Sequence, residues 1–189
     1  MQPGHRYFQG LALRRNEMGT DSLAQAVGEL LRQRRLTLAV AESCTGGLLA
    51  AHITSIPGSS DYFTGGVIAY SYGTKERVLN VPASVLERYG AVSPETAIAM
   101  AQGVRRLLRV DLALAVTGIA GPTGGTPEKP VGLTYIALSS SEGEKCRRYV
   151  WAGDRWENRE LSARAALELL QEHLTTESNE PGVAELLQP

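Results

Sequence analysis

Thr37-Leu38-Ala39-Val40-Ala41-Glu42-Ser43-Cys44-Thr45-Gly46-Gly47 runs an apolar stretch into a polar turn closed by two glycines, and the chain becomes apolar again from Leu48 to Ile53. A short apolar run bounded by turn residues reads as a buried strand, here residues 36–41, and the segment after the glycines reads as a helix over 45–54. The same alternation repeats downstream. Asp21 or Ser22 can cap a helix with Leu23, Val27, Leu30 and Leu31 on one face. Pro57-Gly58-Ser59-Ser60 leads into a second strand over 64–70, short helices follow at 75–80 and 83–89, and Ser93-Pro94-Glu95 opens a longer helix to 108. A third strand, 112–117, ends in Thr117-Gly118-Ile119-Ala120-Gly121-Pro122-Thr123-Gly124-Gly125. Strands at 132–139 and 145–151 are joined by a tight polar turn, and a last helix covers 155–174. Helical separation favours parallel pairing of the first three strands, whereas a direct hairpin sets strand four antiparallel to strand five. The expected fold is α/β with a mixed five-stranded sheet.

The chain has 189 residues, 43% of them hydrophobic, which suits one soluble domain, placed at 21–174. Residues 1–20 read as a disordered extension and 175–189 as a polar tail. A net charge of -1 makes nucleic acid an unsuitable default partner, although Arg105, Arg106 and Arg109 gather on one helix. No apolar run approaches the roughly 20 residues of a membrane span and the N-terminus lacks a secretory core, so no membrane is expected and the location is read as cytoplasmic. Cys44 and Cys146 show no metal-ligand spacing and read as reduced thiols. No metal and no cofactor is expected.

In open α/β sheets ligands sit beyond the carboxyl ends of the parallel strands, where Ser43, the segment Tyr70 to Lys75, and the loop from Thr117 to Gly125 all fall. A serine held on a strand end, beside the free N–H groups of a helix's first turn, suits nucleophilic attack with an anion site; it equally suits an N-cap. His5, His52 and His173 are the three histidines, and none is placed for a serine triad. Lysine is scarce, with Lys75, Lys129 and Lys145 among nineteen basic residues. A lysine can do what arginine cannot, which is release its proton, so Lys75 is a candidate base for Ser43; a solvated residue opening a short helix is the alternative. Arg155 can pair with an anionic group or with a neighbouring helix carboxylate. Glu42 is either a hydrogen-bond partner of the site or a capping carboxylate. Cys44 is a rival nucleophile, ranked below Ser43 because no histidine stands near it.

AESCTGG at 41–47, PGSSDYFTGGVIAYS at 57–71, Lys75, GAVSPETA at 90–97, TGIAGPTGGTPEKPVG at 117–132 and GDR at 153–155 together resemble the CinA C-terminal domain family. The resemblance covers about residues 21–174. It implies a three-layer α/β/α sandwich with strand four antiparallel, and deamidation of nicotinamide mononucleotide to nicotinate mononucleotide and ammonia by the family's stand-alone branch. It further implies a small-molecule substrate and a homo-oligomer. The family's catalytic serine, tyrosine and lysine fall on Ser43, Tyr70 and Lys75, its assisting hydroxyl on Thr117 and its substrate-contacting arginine on Arg155. Glu42, Thr45, Gly46, Gly47, Gly118 and Gly121 are further candidates for substrate contact, with the N–H groups around Thr45 to Gly47 as oxyanion donors. Acyl transfer from Ser43 with Lys75 as base, directly or through Tyr70, is the expected chemistry, with a ligand-binding module or another amide substrate as the alternatives.

Overall fold

The computed structural model describes residues 17–176, so the expectations for 1–16 and 177–189 lie outside the described residues. Among the described residues six α-helices and five strands follow one another as α1 (Glu17–Arg34), β1 (Leu38–Glu42), α2 (Leu48–Thr54), β2 (Phe63–Ile68), α3 (Tyr72–Leu79), α4 (Ala83–Tyr89), α5 (Pro94–Leu108), β3 (Leu112–Gly118), β4 (Leu133–Ser140), β5 (Gly143–Val150) and α6 (Arg155–Thr176), with a single 3-10 turn at Ser59–Asp61 before β2. The sheet order is β2-β1-β3-β4-β5. β1 runs parallel to β2 and β3, while β4 is antiparallel to both β3 and β5.

Alternation along the central strands sorts large from small side chains. Leu38 and Val40 of β1, Leu112, Leu114 and Val116 of β3, and Ile136 and Leu138 of β4 point to one face, where α1, α2 and α6 pack with Leu31, Leu49, Leu167 and Leu170. The alternate positions are alanines, Ala39, Ala41, Ala113, Ala115 and Ala137, and they face α5 with Met100, Ala101 and Val104. Both faces are covered, which is why these strands are apolar throughout rather than alternating with polar residues. Small residues on the second face let α5 lie close to the sheet.

The boundaries differ from the sequence reading in physically informative ways. α1 begins at Glu17, inside the stretch expected to be a tail, and already buries Thr20. β2 ends at Ile68 and not at 70: the Ala69 N–H makes the last bond to β1, to the Glu42 carbonyl (2.8 Å), and β1 itself ends at Glu42, so nothing pairs with Tyr70. α2 begins only at Leu48: Gly46 and Gly47 take left-handed φ of 61° and 98°, so residues 44–47 form a turn. β5 starts two residues early because Ser140 pairs with Gly143 and leaves a two-residue hairpin loop. Among the described residues no helix is long and apolar enough to cross a membrane.

Candidate active site

β1 delivers Ser43 to the carboxyl edge of the sheet, and its N–H donates to the Val116 carbonyl of β3 at 2.9 Å. The serine therefore starts from a fixed backbone. Lys75 comes from the other side. Ser71 caps α3 by accepting from the Thr74 N–H, and the first turn of α3 carries Lys75 back under the end of β2. Its side chain is 0% exposed. The Lys75 ammonium donates to the Ala69 carbonyl at 2.6 Å, to Ser43 Oγ at 2.9 Å and to the Tyr70 carbonyl at 3.3 Å. It is thus a buried residue in contact with the serine and not the solvated helix opener that was the alternative.

Burial lowers the Lys75 pKa from 10.5 to about 8, since desolvation penalises the charged form. A neutral amine has two N–H groups and one lone pair. Carbonyls cannot donate, so Ala69 and Tyr70 take the two N–H groups and the lone pair is left to face Ser43, whose hydroxyl then donates to it. Deprotonation of Lys75 thereby turns the serine hydroxyl toward the amine nitrogen. Cys44 is placed differently: burial pushes its thiol up to about 12, which leaves it protonated and weakly nucleophilic at neutral pH.

Glu42 is buried and its carboxylate accepts from the N–H groups of Gly47 (2.9 Å), Leu49 (3.2 Å) and Ala50 (2.8 Å). It is a capping carboxylate that satisfies the orphan donors of α2. This changes the reading of the turn, because the Gly47 N–H is taken by Glu42 and the Gly46 N–H by the Ser43 carbonyl (3.2 Å). Neither glycine, nor buried Thr45, lines the cavity; they shape the turn that presents the serine. Of the residues in this turn, Cys44 is the one that lines the cavity beside Ser43.

A cavity of about 250 Å³ opens over Ser43, walled by Tyr70, Thr117, Gly118, Gly121 and Arg155 among others. The Thr117 hydroxyl donates to the Ala91 carbonyl (2.7 Å), which leaves its oxygen able to accept. Arg155 donates to the Gly121 carbonyl at 2.7 Å and to the Tyr70 hydroxyl at 3.4 Å. Tyr70 is 61% exposed, and its contact with Lys75 is through the backbone carbonyl and not the phenol. Having left β2 two residues earlier, it stands at the rim. Sequence reasoning did not single out Arg159, whose Nε and Nη2 donate to the Thr45 carbonyl at 3.2 and 2.7 Å. Its spacing from Arg155, one helical turn, was the available signal. Among the described residues no three His, Cys, Asp or Glu side chains are grouped as metal ligands.

A family model described as the CinA C-terminal domain matches residues 20–174. The chain is 51% identical over 154 residues to a CinA-like protein of Desulfotalea psychrophila and 50% identical over 154 residues to a CinA-like protein of Geotalea uraniireducens, covering 82% of this chain and 37% of each relative. It thus spans well under half the length of these relatives. A CinA superfamily protein from Klebsiella pneumoniae superposes with a TM-score of 0.81 at 32% identity, covering 83% of this chain and 98% of that one. The competence/damage inducible protein CihA from Agrobacterium tumefaciens gives a TM-score of 0.78 at 38% identity over 82% of this chain and 95% of its own.

Proposed function

The chain belongs to the CinA C-terminal domain family, and from that premise we propose that it is a serine–lysine amidohydrolase that deamidates nicotinamide mononucleotide. The observation that carries the reading is the buried Lys75 Nζ, 2.9 Å from Ser43 Oγ with two carbonyls on its other positions. Neutral Lys75 takes the hydroxyl proton as Ser43 Oγ attacks the carboxamide carbon. The oxygen of the tetrahedral intermediate is met by the N–H of Cys44, the cavity-wall residue next to the nucleophile. The intermediate collapses with transfer of the proton from Lys75 to the amide nitrogen, which leaves as ammonia. Water then attacks the acyl-enzyme, Lys75 accepts its proton and returns it to Ser43, and the carboxylate product departs. Thr117 and Arg155 face the substrate from the opposite wall.

Incubation of the purified protein with nicotinamide mononucleotide should release ammonia and nicotinate mononucleotide in equal amounts. Ser43→Ala should abolish release and Cys44→Ala should retain most of it. Well-folded protein that binds the nucleotide without releasing ammonia would instead support a ligand-binding module.

A further inference from the structure

A second cavity of about 650 Å³ adjoins the one over Ser43, and Ala120 and Arg155 belong to both walls. Pro122, Trp156 and Arg159 complete much of its lining. Arg155 and Arg159 lie one turn apart at the start of α6, so they rise from one helix face. Among the described residues neither is ion-paired with a carboxylate. Arg159 uses two N–H groups on the Thr45 carbonyl, and Arg155 uses one on Gly121 and one on the Tyr70 hydroxyl, so each of these five-donor groups keeps N–H groups to spare. The carboxylate in the wall, Asp154, is occupied as the cap of α6, accepting from the N–H groups of Trp156 (2.8 Å) and Glu157 (2.9 Å). The Arg159 guanidinium lies 5.3 Å from the centroid of the Trp156 ring, which is 55% exposed and walls the cavity.

We propose that this second cavity is a phosphomonoester subsite, in which Arg155 and Arg159 together bind the phosphate of the substrate while its amide lies at Ser43. The inference rests on the nucleotide-amidase reading above. Two uncompensated guanidinium groups on one wall match a group carrying close to two negative charges, and bidentate N–H donation suits its oxygens. The division into a small cavity over the nucleophile and a larger cationic one beside it matches a substrate with a flat carboxamide-bearing ring at one end and a phosphate at the other. Arg159 is then a binding residue that also grips the turn carrying Ser43.

The test compares nicotinamide mononucleotide with nicotinamide riboside, which lacks the phosphate, in wild type, Arg159→Gln and Trp156→Glu. The second variant keeps a helix-compatible residue in an exposed first turn, where an acid is favourable, and sets a carboxylate against Arg159. Loss of a charge-assisted bond should lower kcat/KM for the nucleotide by roughly 10–100-fold more than for the riboside, any loosening of the serine turn being common to both substrates. An equal loss on both substrates overturns the subsite and assigns Arg159 to support of the serine turn. Calorimetric titration with ribose 5-phosphate decides the matter without turnover: binding to wild type that weakens at least tenfold in both variants supports the proposal, and binding that is absent, or unchanged in the variants, overturns it. A protein that binds ribose 5-phosphate through Arg159 yet deamidates neither substrate would defeat the proposed activity while leaving the subsite standing.

Discussion

Lys75 and Ser43 are separated by 32 residues in the chain and by 2.9 Å in space, and the lysine's working state depends on pH. With its pKa lowered to about 8, the ammonium dominates at pH 7, and the neutral amine that can accept the serine proton grows with pH. The rate constant kcat/KM should therefore rise close to tenfold per unit below that value and flatten above it, a profile measurable by ammonia release. Lys75→Arg should be nearly as damaging as Lys75→Ala, with kcat lower by roughly 10²–10⁴-fold, because a guanidinium keeps its charge and cannot act as base. Near-normal turnover by a folded Lys75→Arg protein would reduce the lysine to an electrostatic role. The pairing of these two residues was legible from types and placement: a serine and a scarce lysine, each just past a strand. The orientation of Tyr70 was not, because it depends on where β2 ends, and that is decided by the end of its partner strand β1 at Glu42, a segment distant in sequence.

Two contacts between elements decide how well the site is held. Glu42, at the end of β1, supplies the acceptor for three N–H groups at the start of α2. Glu42→Ala leaves buried donors unpaired and should destabilise the protein by about 2–4 kcal/mol in denaturant titrations, with turnover falling as the serine turn loosens. A change below about 0.5 kcal/mol would show that water replaces the carboxylate fully. Gly103 of α5 is the second contact. Helix propensity alone favours alanine there by about 1 kcal/mol. A Cβ at this position, however, would lie 2.1 Å from the Leu79 carbonyl oxygen at the end of α3, and the obstacle is backbone and not a flexible side-chain tip. The clash wins, so Gly103→Ala should lower stability by about 2–4 kcal/mol, and a stabilised variant would show that α3 can move aside at little cost. Sequence reading placed the helices and strands because apolar period and turn chemistry are local signals. It left the role of Glu42 open and passed over Arg159, whose one local signal was its spacing of a turn from Arg155, since its hydrogen bonds to Thr45 span 114 residues.

The whole molecule buries titrating groups whose shifts oppose one another, and the sum sets its stability in alkaline solution. Lys75 has a folded pKa of about 8 against 10.5 in the open chain, so between these values the unfolded state holds a proton that the folded state has lost, and stability rises with pH. Cys44 and Cys146 behave oppositely: burial raises their thiols from 9.0 to about 12 and about 11, so above pH 9 the unfolded state loses protons that the folded state keeps, and stability falls. Burial also raises the Tyr62 hydroxyl from 10.0, in the same sense as the thiols. The thiols, the fully buried Cys44 above all, oppose the amine once they titrate in the unfolded chain, so the gain that sets in above pH 8 is curtailed above pH 9. Replacing both cysteines by alanine should remove the thiol contribution and let the lysine's gain continue toward pH 10.5. Adding Lys75→Met to that background should remove the gain, and the difference between the two backgrounds from pH 7 to 10.5 should reach about 3 kcal/mol. Urea titrations across this range provide the measurement; parallel curves for the two backgrounds would mean that the amine beside Ser43 keeps an ordinary lysine pKa in the folded protein, and the proton transfer assigned to it would lose its basis.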